Sequence, residues 1–501
     1  MPKIFTPRDE AFLRLLSDLI GCNPFTPRRS QIERELLGDE FQKSEKDWTL
    51  SPSQYRTTKN LDAIHRKTEK LLERISSKLK QAGQLSPKYR DSYWDLVNYV
   101  LFNRNRSHFE DIIKRGKDLR RTFADFKSDV EKYLKFIPGR DIESEPHHLF
   151  AIQFQIYRSF YNIFGDIVGS SPSIIKLRAD AWQSIFTHDM TRYRHTLFDR
   201  MHDFTTLITG PSGTGKELVA KAIGTSAYIP FDTTKYRFKY SREDLLKTVN
   251  LSALTPTLIE SELFGHKKGA FTGAVTDRLG WLDSCPKEGS IFLDEIGELD
   301  ATLQVKLLRV LQDRSFQRIG DTADRQFQGR FIAATNRNLD LAIRENSFRS
   351  DFYYRICSDR IQTPGLSIRI QEDSSELQGL VRHLSERLLP TDDAKTATDQ
   401  IVDWIHSNLG LDYPWPGNVR ELEQCIRNWL IRRNYAPMND WQESDSIQRL
   451  ADFDCTAEEL IQRYCASKYA QNGSYVKTAE LLGLDRRTVK AKIEALDNVP
   501  E

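Results

Sequence analysis

The chain has 501 residues, 39% of them hydrophobic and 29% charged, a balance that suits several globular domains each burying a core. Its 73 basic and 71 acidic residues leave a net charge of +2, which excludes a polybasic nucleic-acid coat and requires any DNA contact to come from a local patch. Six scattered cysteines without a CxxC pair argue against a zinc site or a disulfide framework. The opening MPKIFTPRDE lacks an apolar signal core and no apolar run is long enough to span a bilayer, so a cytoplasmic protein without membrane contact is expected.

Residues 1–160 read as a helical regulatory or interaction domain. Apolar residues recur at helical spacing from Ala11 to Ile20 and from Leu61 to Leu79, and glycine is sparse. Lys114, Arg115, Lys117, Arg120 and Arg121 read as a solvated helix face, with a nucleic-acid contact as the alternative. Neither a phospho-receiver pocket nor a small-molecule sensor is recognisable there. Near residue 165 the texture changes: the strand-like runs 205–209, 290–293 and 330–334 alternate with helical stretches, as in an α/β sheet covered by helices. From about 375 the pattern is helical again, 436–455 reads as a linker, and 456–501 as a short helical tail.

The strand Leu207-Ile208-Thr209 runs into Gly210, Pro211, Ser212, Gly213, Thr214, Gly215, Lys216 and Glu217, followed by a helix. Glycines let backbone N–H groups turn inward around phosphate oxygens at a helix N-terminus, and Lys216 would reach the outer phosphates. Glu217 stands where the strict motif has Ser or Thr. A second apolar strand, 290–293, delivers Asp294 and Glu295 at its end, the Walker B pattern. Asp294 would hold Mg²⁺, directly or through water, and Glu295 would orient and polarise the attacking water of ATP hydrolysis. A third strand ends at Asn336, an amide placed to sense the γ-phosphate. Arg349 and Arg355 follow, as guanidinium groups that could stabilise transition-state charge in trans or merely pair on the surface.

Between these motifs lies Gly269, Ala270, Phe271, Thr272, Gly273 and Ala274, the string GAFTGA. With it, residues 165–435 resemble the AAA+ domain of sigma-54-dependent transcription activators. The resemblance implies an α/β ATPase subdomain (165–370) with a helical lid (371–435) and a ring, usually a hexamer, with ATP at subunit interfaces. It implies that loop 269–274 touches the sigma factor, as a mobile loop with an exposed apolar tip at Phe271. It places Ile167 and Val168 near the adenine and makes Glu217 a family feature. Asn250 becomes the residue coupling Glu295 to nucleotide state, Arg349 and Arg355 the arginine fingers, and Arg420 a lid arginine on the nucleotide. Three departures stand out: longer segments at 181–203 and 228–247, and PGLSIR at 364–369 in place of PPLRER, which puts the sheet-to-lid contact in question.

The tail reads as three helices, the third capped by Asp485. AELLGLDRRTVKAKI resembles a Fis-type helix-turn-helix. Arg486 and Arg487 would reach base edges, and Thr488, Lys490 and Lys492 complete the DNA-facing set. Ala479, Leu482, Leu484, Val489 and Ile493 would form its core, with a generic protein-contact module as the alternative. The expected function is ATP-dependent activation of transcription: binding upstream double-stranded DNA and remodelling sigma-54 RNA polymerase from closed to open complex. An AAA+ remodeller of another protein, or a repressor with a regulatory ATPase, are the competing readings.

Overall fold

The computed structural model describes residues 4–43, 59–115, 119–137, 145–437 and 457–496. Most of the expected linker (438–455), Thr456 and Lys117 lie outside them. The chain divides into two compact units, Met1–Arg433 and Asn434–Glu501. Among the described residues no helix is long and apolar enough to cross a membrane.

The first unit begins with helices whose starts are written locally. In α1 (Pro7–Gly21), Thr6 and Asp9 form a reciprocal capping box ahead of Pro7 at the first turn. Next come α2 (Pro27–Leu37), α3 (Lys59–Ala82), α4 (Arg90–Arg115) and α5 (Arg120–Leu134). Leu61, Ile64, Leu71, Leu72, Ile75 and Leu79 form one buried stripe of α3. The long α6 (Pro146–Asp166) packs on both this bundle and the sheet beyond it, running through the boundary expected at 160–165. A further helix, α7 (Pro172–Phe186), lies against α6.

The sheet begins with β1 (Thr206–Thr209), followed by α8 (Lys216–Gly224). The next strands are β2 (Phe231–Asp232), β3 (Arg237–Phe238) and β4 (Leu246–Asn250), then α9 (Pro256–Phe264), β5 (Gly265–His266) and β6 (Arg278–Leu279). They lead to β7 (Ser290–Asp294), α10 (Ala301–Asp313), β8 (Ser315–Phe316), β9 (Arg325–Gln326) and β10 (Arg330–Thr335). The set ends with α11 (Leu339–Arg344), α12 (Ser350–Ile356) and β11 (Asp359–Gln362). Five strands pair in parallel in the order β11-β1-β10-β7-β4. The central strands are buried on both faces and so read as near-continuous apolar runs. The lid follows as α13 (Leu366–Glu372), α14 (Ser375–Ser385), α15 (Thr391–Asn408) and α16 (Asn418–Arg432).

The lengthened segment at 228–247 forms the β2–β3 hairpin, and its aromatic residues reach into the helical bundle. Phe231 lies 5.0 Å from Phe150, and Phe238 stacks on Phe154 at 4.3 Å. The lengthened segment at 181–203 ends in short helical turns that lead to β1. Aromatic pairs of this kind contribute about 0.5–1.5 kcal/mol beyond their buried area.

The second unit holds α17 (Ala457–Asn472), α18 (Tyr475–Leu482) and α19 (Arg486–Leu496). Cys465, Ala479 and Val489 are buried at its centre, with Leu482 and Ile493 packed against them. Leu484, expected in that core, is exposed, because it follows the left-handed Gly483 in the turn between helices.

Candidate functional site

The loop after β1 is held from two sides. Gly210 adopts φ +147°, and a Cβ there would lie 2.2 Å from the Thr363 hydroxyl, so only glycine fits. Thr363 donates to the Thr209 carbonyl at 3.2 Å, and its hydroxyl lies 2.7 Å from that of Thr214. On the lid side, Gly213 (φ +77°) meets the backbone of Gly417. Asn418 donates from Nδ2 to the Ser212 carbonyl at 2.9 Å and accepts from the Leu366 amide at 2.8 Å. One side-chain amide thus ties the loop to the start of α13. Thr363 and Asn418 were not singled out from the sequence, because nothing local marks a residue whose partner lies 50 to 200 positions away.

Lys216 opens α8 and is buried, with Nζ donating to the carbonyls of Gly210 (3.1 Å) and Pro211 (3.2 Å). Burial lowers its pKa against the opposing pull of Glu295 and Asp294. Those carboxylates stand at the end of β7 and line the same cleft. Burial, and then the neighbouring Glu295, push the Asp294 carboxyl above its usual range. Glu295 has a left-handed backbone, φ +57°, which costs a non-glycine residue about 1–2 kcal/mol. Its Oε2 accepts from the Asn336 amide at 3.3 Å, so β7 and β10 converge there. Asn250 sits opposite Asp294 in the sheet register, but its Oδ1 accepts from Ser252, at 3.0 Å from N and 2.8 Å from Oγ. Its side chain therefore caps a turn and does not bond Glu295.

The cleft has a volume of about 570 Å³, within the size range of cofactor sites. Ile167, Val168, Ile174, Leu177 and Leu380 make one end apolar, and Lys216, Asp294, Glu295 and Arg420 make the other polar. Arg420 donates to the Ser212 hydroxyl at 3.4 Å, and Glu217 also lines the cleft, exposed. Arg178 secures the apolar end by donating to the carbonyls of Ile167 and Gly169, both at 2.9 Å. Arg369 donates to the Val168 carbonyl at 2.8 Å and pairs with Glu376, which in turn accepts from the amides of Ser170 and Ser171. Within the departing segment 364–369, Arg369 joins Val168 to Glu376 of the lid. Arg349 and Arg355 are exposed and do not line the cleft of their own chain. Arg349 pairs with Asp351 at 2.7 Å.

Loop 269–274 rises from the β5–β6 base and is closed by Gly269 N to Ala274 O at 2.8 Å and Ala274 N to Phe271 O at 3.0 Å. Phe271 is not the exposed apolar tip the sequence suggested. It is half-buried edge-on against His266, ring centres 5.0 Å apart, because the short bonded turn folds its ring back onto the base. Thr272 and Gly273 are exposed, and the exposed apolar surface is Val275 (73%) and Leu279 (61%). The β8–β9 hairpin supports the loop, with Gly320 close enough that a Cβ would lie 2.8 Å from that of Ala270.

In the second unit, Asp485 caps α19 by accepting from the amides of Arg487 (2.8 Å) and Thr488 (3.0 Å). Arg486, Arg487 and Lys490 are exposed. Thr488 donates its hydroxyl to Asp485, and Lys492 pairs with Glu458, so these two are engaged within the unit.

Residues 187–362 match the family described as the Sigma-54 interaction domain. The Signal-transduction and transcriptional-control protein of Clostridium beijerinckii is 34% identical over 349 residues, 68% of this chain and 50% of that protein. The Nif-specific regulatory protein of Azotobacter vinelandii is 35% identical over 307 residues (58% and 54%). The Regulatory protein AtoC of Escherichia coli (strain K12) is 34% identical over 312 residues (58% and 61%). The chain thus spans half to about three fifths of the length of these relatives.

Proposed function

The chain belongs, through its central domain, to the sigma-54-dependent activators, and on that premise we propose that it hydrolyses ATP to drive the sigma-54 polymerase from closed to open promoter complex. The observation that carries this reading is topological. The projection bearing GAFTGA leaves the sheet after β4 and returns at β7, the strand ending in Asp294 and Glu295, and these two strands are neighbours. A shift at the carboxylates is therefore adjacent to both roots of the loop.

In this mechanism the loop 210–217 and Lys216 hold the phosphates, with the N-terminus of α8 adding favourable potential. Ile167 and Val168 take the base, and Arg420 closes the lid over the phosphates. Asp294 would hold Mg²⁺; a half-buried carboxylate lining the polar end of the cleft suits an ion that keeps several waters and completes its shell with substrate oxygens. The bound ion would neutralise charge on the phosphates. Glu295 orients and polarises the attacking water, and Asn336, whose backbone N–H donates to Glu295, reports the γ-phosphate through its side chain. Asn250 joins this set when its side chain leaves Ser252. Arg349 and Arg355 do not line their own cleft and serve the neighbouring subunit's site in a ring, most simply a hexamer. Thr272 and Phe271 engage the sigma factor. Arg486, Arg487 and Lys490 contact upstream DNA, and the protein works in the cytoplasm.

Glu295→Gln is expected to retain ATP binding while turnover falls by about 100-fold or more, the range for loss of a catalytic base. Equilibrium binding and phosphate release measure the two separately. Unchanged turnover would remove Glu295 from the reaction.

A further inference from the structure

The end of α8 far from the phosphate loop is closed by residues of α6. Lys216 opens α8 and Gly224 ends it, so the lysine and the helix's last carbonyls stand at opposite ends of a strut roughly 13 Å long. Those carbonyls take their donors from beyond the helix. The Thr225 hydroxyl donates to the Lys221 carbonyl at 2.7 Å, and the Ser226 hydroxyl donates to the Ala222 carbonyl at 2.6 Å. With both protons committed, each hydroxyl oxygen is left to accept. Asn162 of α6 is the donor, with Nδ2 at 3.0 Å from Thr225 Oγ1 and 3.1 Å from Ser226 Oγ. Asn162 is buried, and its Oδ1 has no donor among the described residues, so the amide engages through its N–H bonds alone.

The same face of α6 makes two further contacts one and two turns back. Arg158 donates to the Ala227 carbonyl, and Gln155 donates to the Ser226 carbonyl at 2.9 Å. Arg158 is buried and pairs with no carboxylate among the described residues. Its guanidinium is thus a cation set beyond the C-terminal, negative end of α8, where positive charge is favourable. In the other direction, Asp166 at the end of α6 pairs with Lys221 of α8 at 3.1 Å. Ile167 and Val168 then line the apolar end of the nucleotide cleft. α6 therefore runs antiparallel along α8, from the segment 225–227 up to the cleft.

We propose that Asn162 and Arg158 are positioning residues for nucleotide binding: by fixing the segment 225–227 they hold α8 against α6 and so set where Lys216 meets the phosphates. Neither residue lines the cleft, so their effect passes through α8. The proposal rests on the ATPase reading given above.

The test combines hydrogen exchange of the full chain without nucleotide and equilibrium binding of ATP. Asn162→Leu keeps the side-chain size and removes both N–H bonds. Arg158→Met removes the guanidinium and leaves no carboxylate unpaired, and it decides the outcome alone if the leucine variant does not fold. In each variant, exchange is expected to rise about tenfold at Val219 and Ala220, in the turn that follows Lys216, as well as at the far end of α8. ATP affinity is expected to fall about fivefold, the effect of one lost hydrogen bond, in proteins whose melting matches the parent. Arg158→Lys, which keeps a donor for the Ala227 carbonyl, should recover affinity to within about twofold of the parent. A merely structural cap would loosen only residues 223–227. Exchange confined to that end, or parental ATP affinity in the folded variants, would overturn this proposal alone. A parent that bound no ATP would overturn the ATPase reading and this proposal with it.

Discussion

Arg369 and Glu376 show how much of the cleft depends on two side chains. Both are almost wholly buried, and burial pulls the guanidinium's pKa down against the opposing effect of Glu376. Together they join the segment 168–171 at the apolar end of the cleft to the lid. Arg369→Met leaves the Glu376 carboxylate buried without its cation, and such a loss typically costs about 3–5 kcal/mol. Denaturant unfolding should show a loss of that order, together with weakened nucleotide binding; a change under 1 kcal/mol would mean the pair is not structural. At this scale the meeting of Lys216, Asp294 and Glu295 in one cleft was legible, because contiguous residues carry each motif. Asn418, Thr363 and Arg178 were not, because each acts by closing a contact between distant segments. Phe271 was misjudged for a similar reason: its neighbour His266 becomes a ring partner only once β5 and β6 pair.

Among elements, α6 joins the helical bundle to α8. His148 near its start is buried, with Nδ1 2.9 Å from the Tyr228 hydroxyl. Burial pulls its pKa down from 6.5 to about 4. The folded state therefore favours the neutral imidazole. That contribution is complete above the unfolded pKa of about 6.5 and is lost as pH falls through about 4. Melting followed from pH 7 downward should show a loss on the order of 3 kcal/mol over that window, and His148→Gln should flatten it. An identical slope in the variant would assign the acid sensitivity elsewhere. The central strands were readable as apolar runs, whereas the edge strands β4 and β11 were not, since their exposed, polar positions leave no such run. The expanded segment at 228–247 was visible as extra length. Its purpose appeared only when Phe231 and Phe238 were seen in the helical core.

For the whole molecule, the arginines decide whether the site is complete within one chain. Neither Arg349 nor Arg355 lines its own cleft, so turnover should require a neighbour. Lys216→Ala and Arg355→Ala are each expected to be inactive alone. Mixed together they should regain part of the phosphate release, because some interfaces then combine an intact loop with an intact arginine. No recovery in rings shown to mix would place the arginine in cis. In the C-terminal unit the three-helix pattern was legible from the turn glycines and Asp485. The engagement of Lys492 with Glu458 was not, since it joins the first and third helices.

In the proposed mechanism, turnover is converted into promoter opening through loop 269–274. Permanganate footprinting of a promoter held by sigma-54 polymerase, with ATP and either the parent protein or Thr272→Ala, measures this directly. Strand separation is expected with the parent and none with Thr272→Ala, while both release phosphate at similar rates. Full opening by the Thr272→Ala protein, or no opening by a parent that turns over ATP, would contradict it.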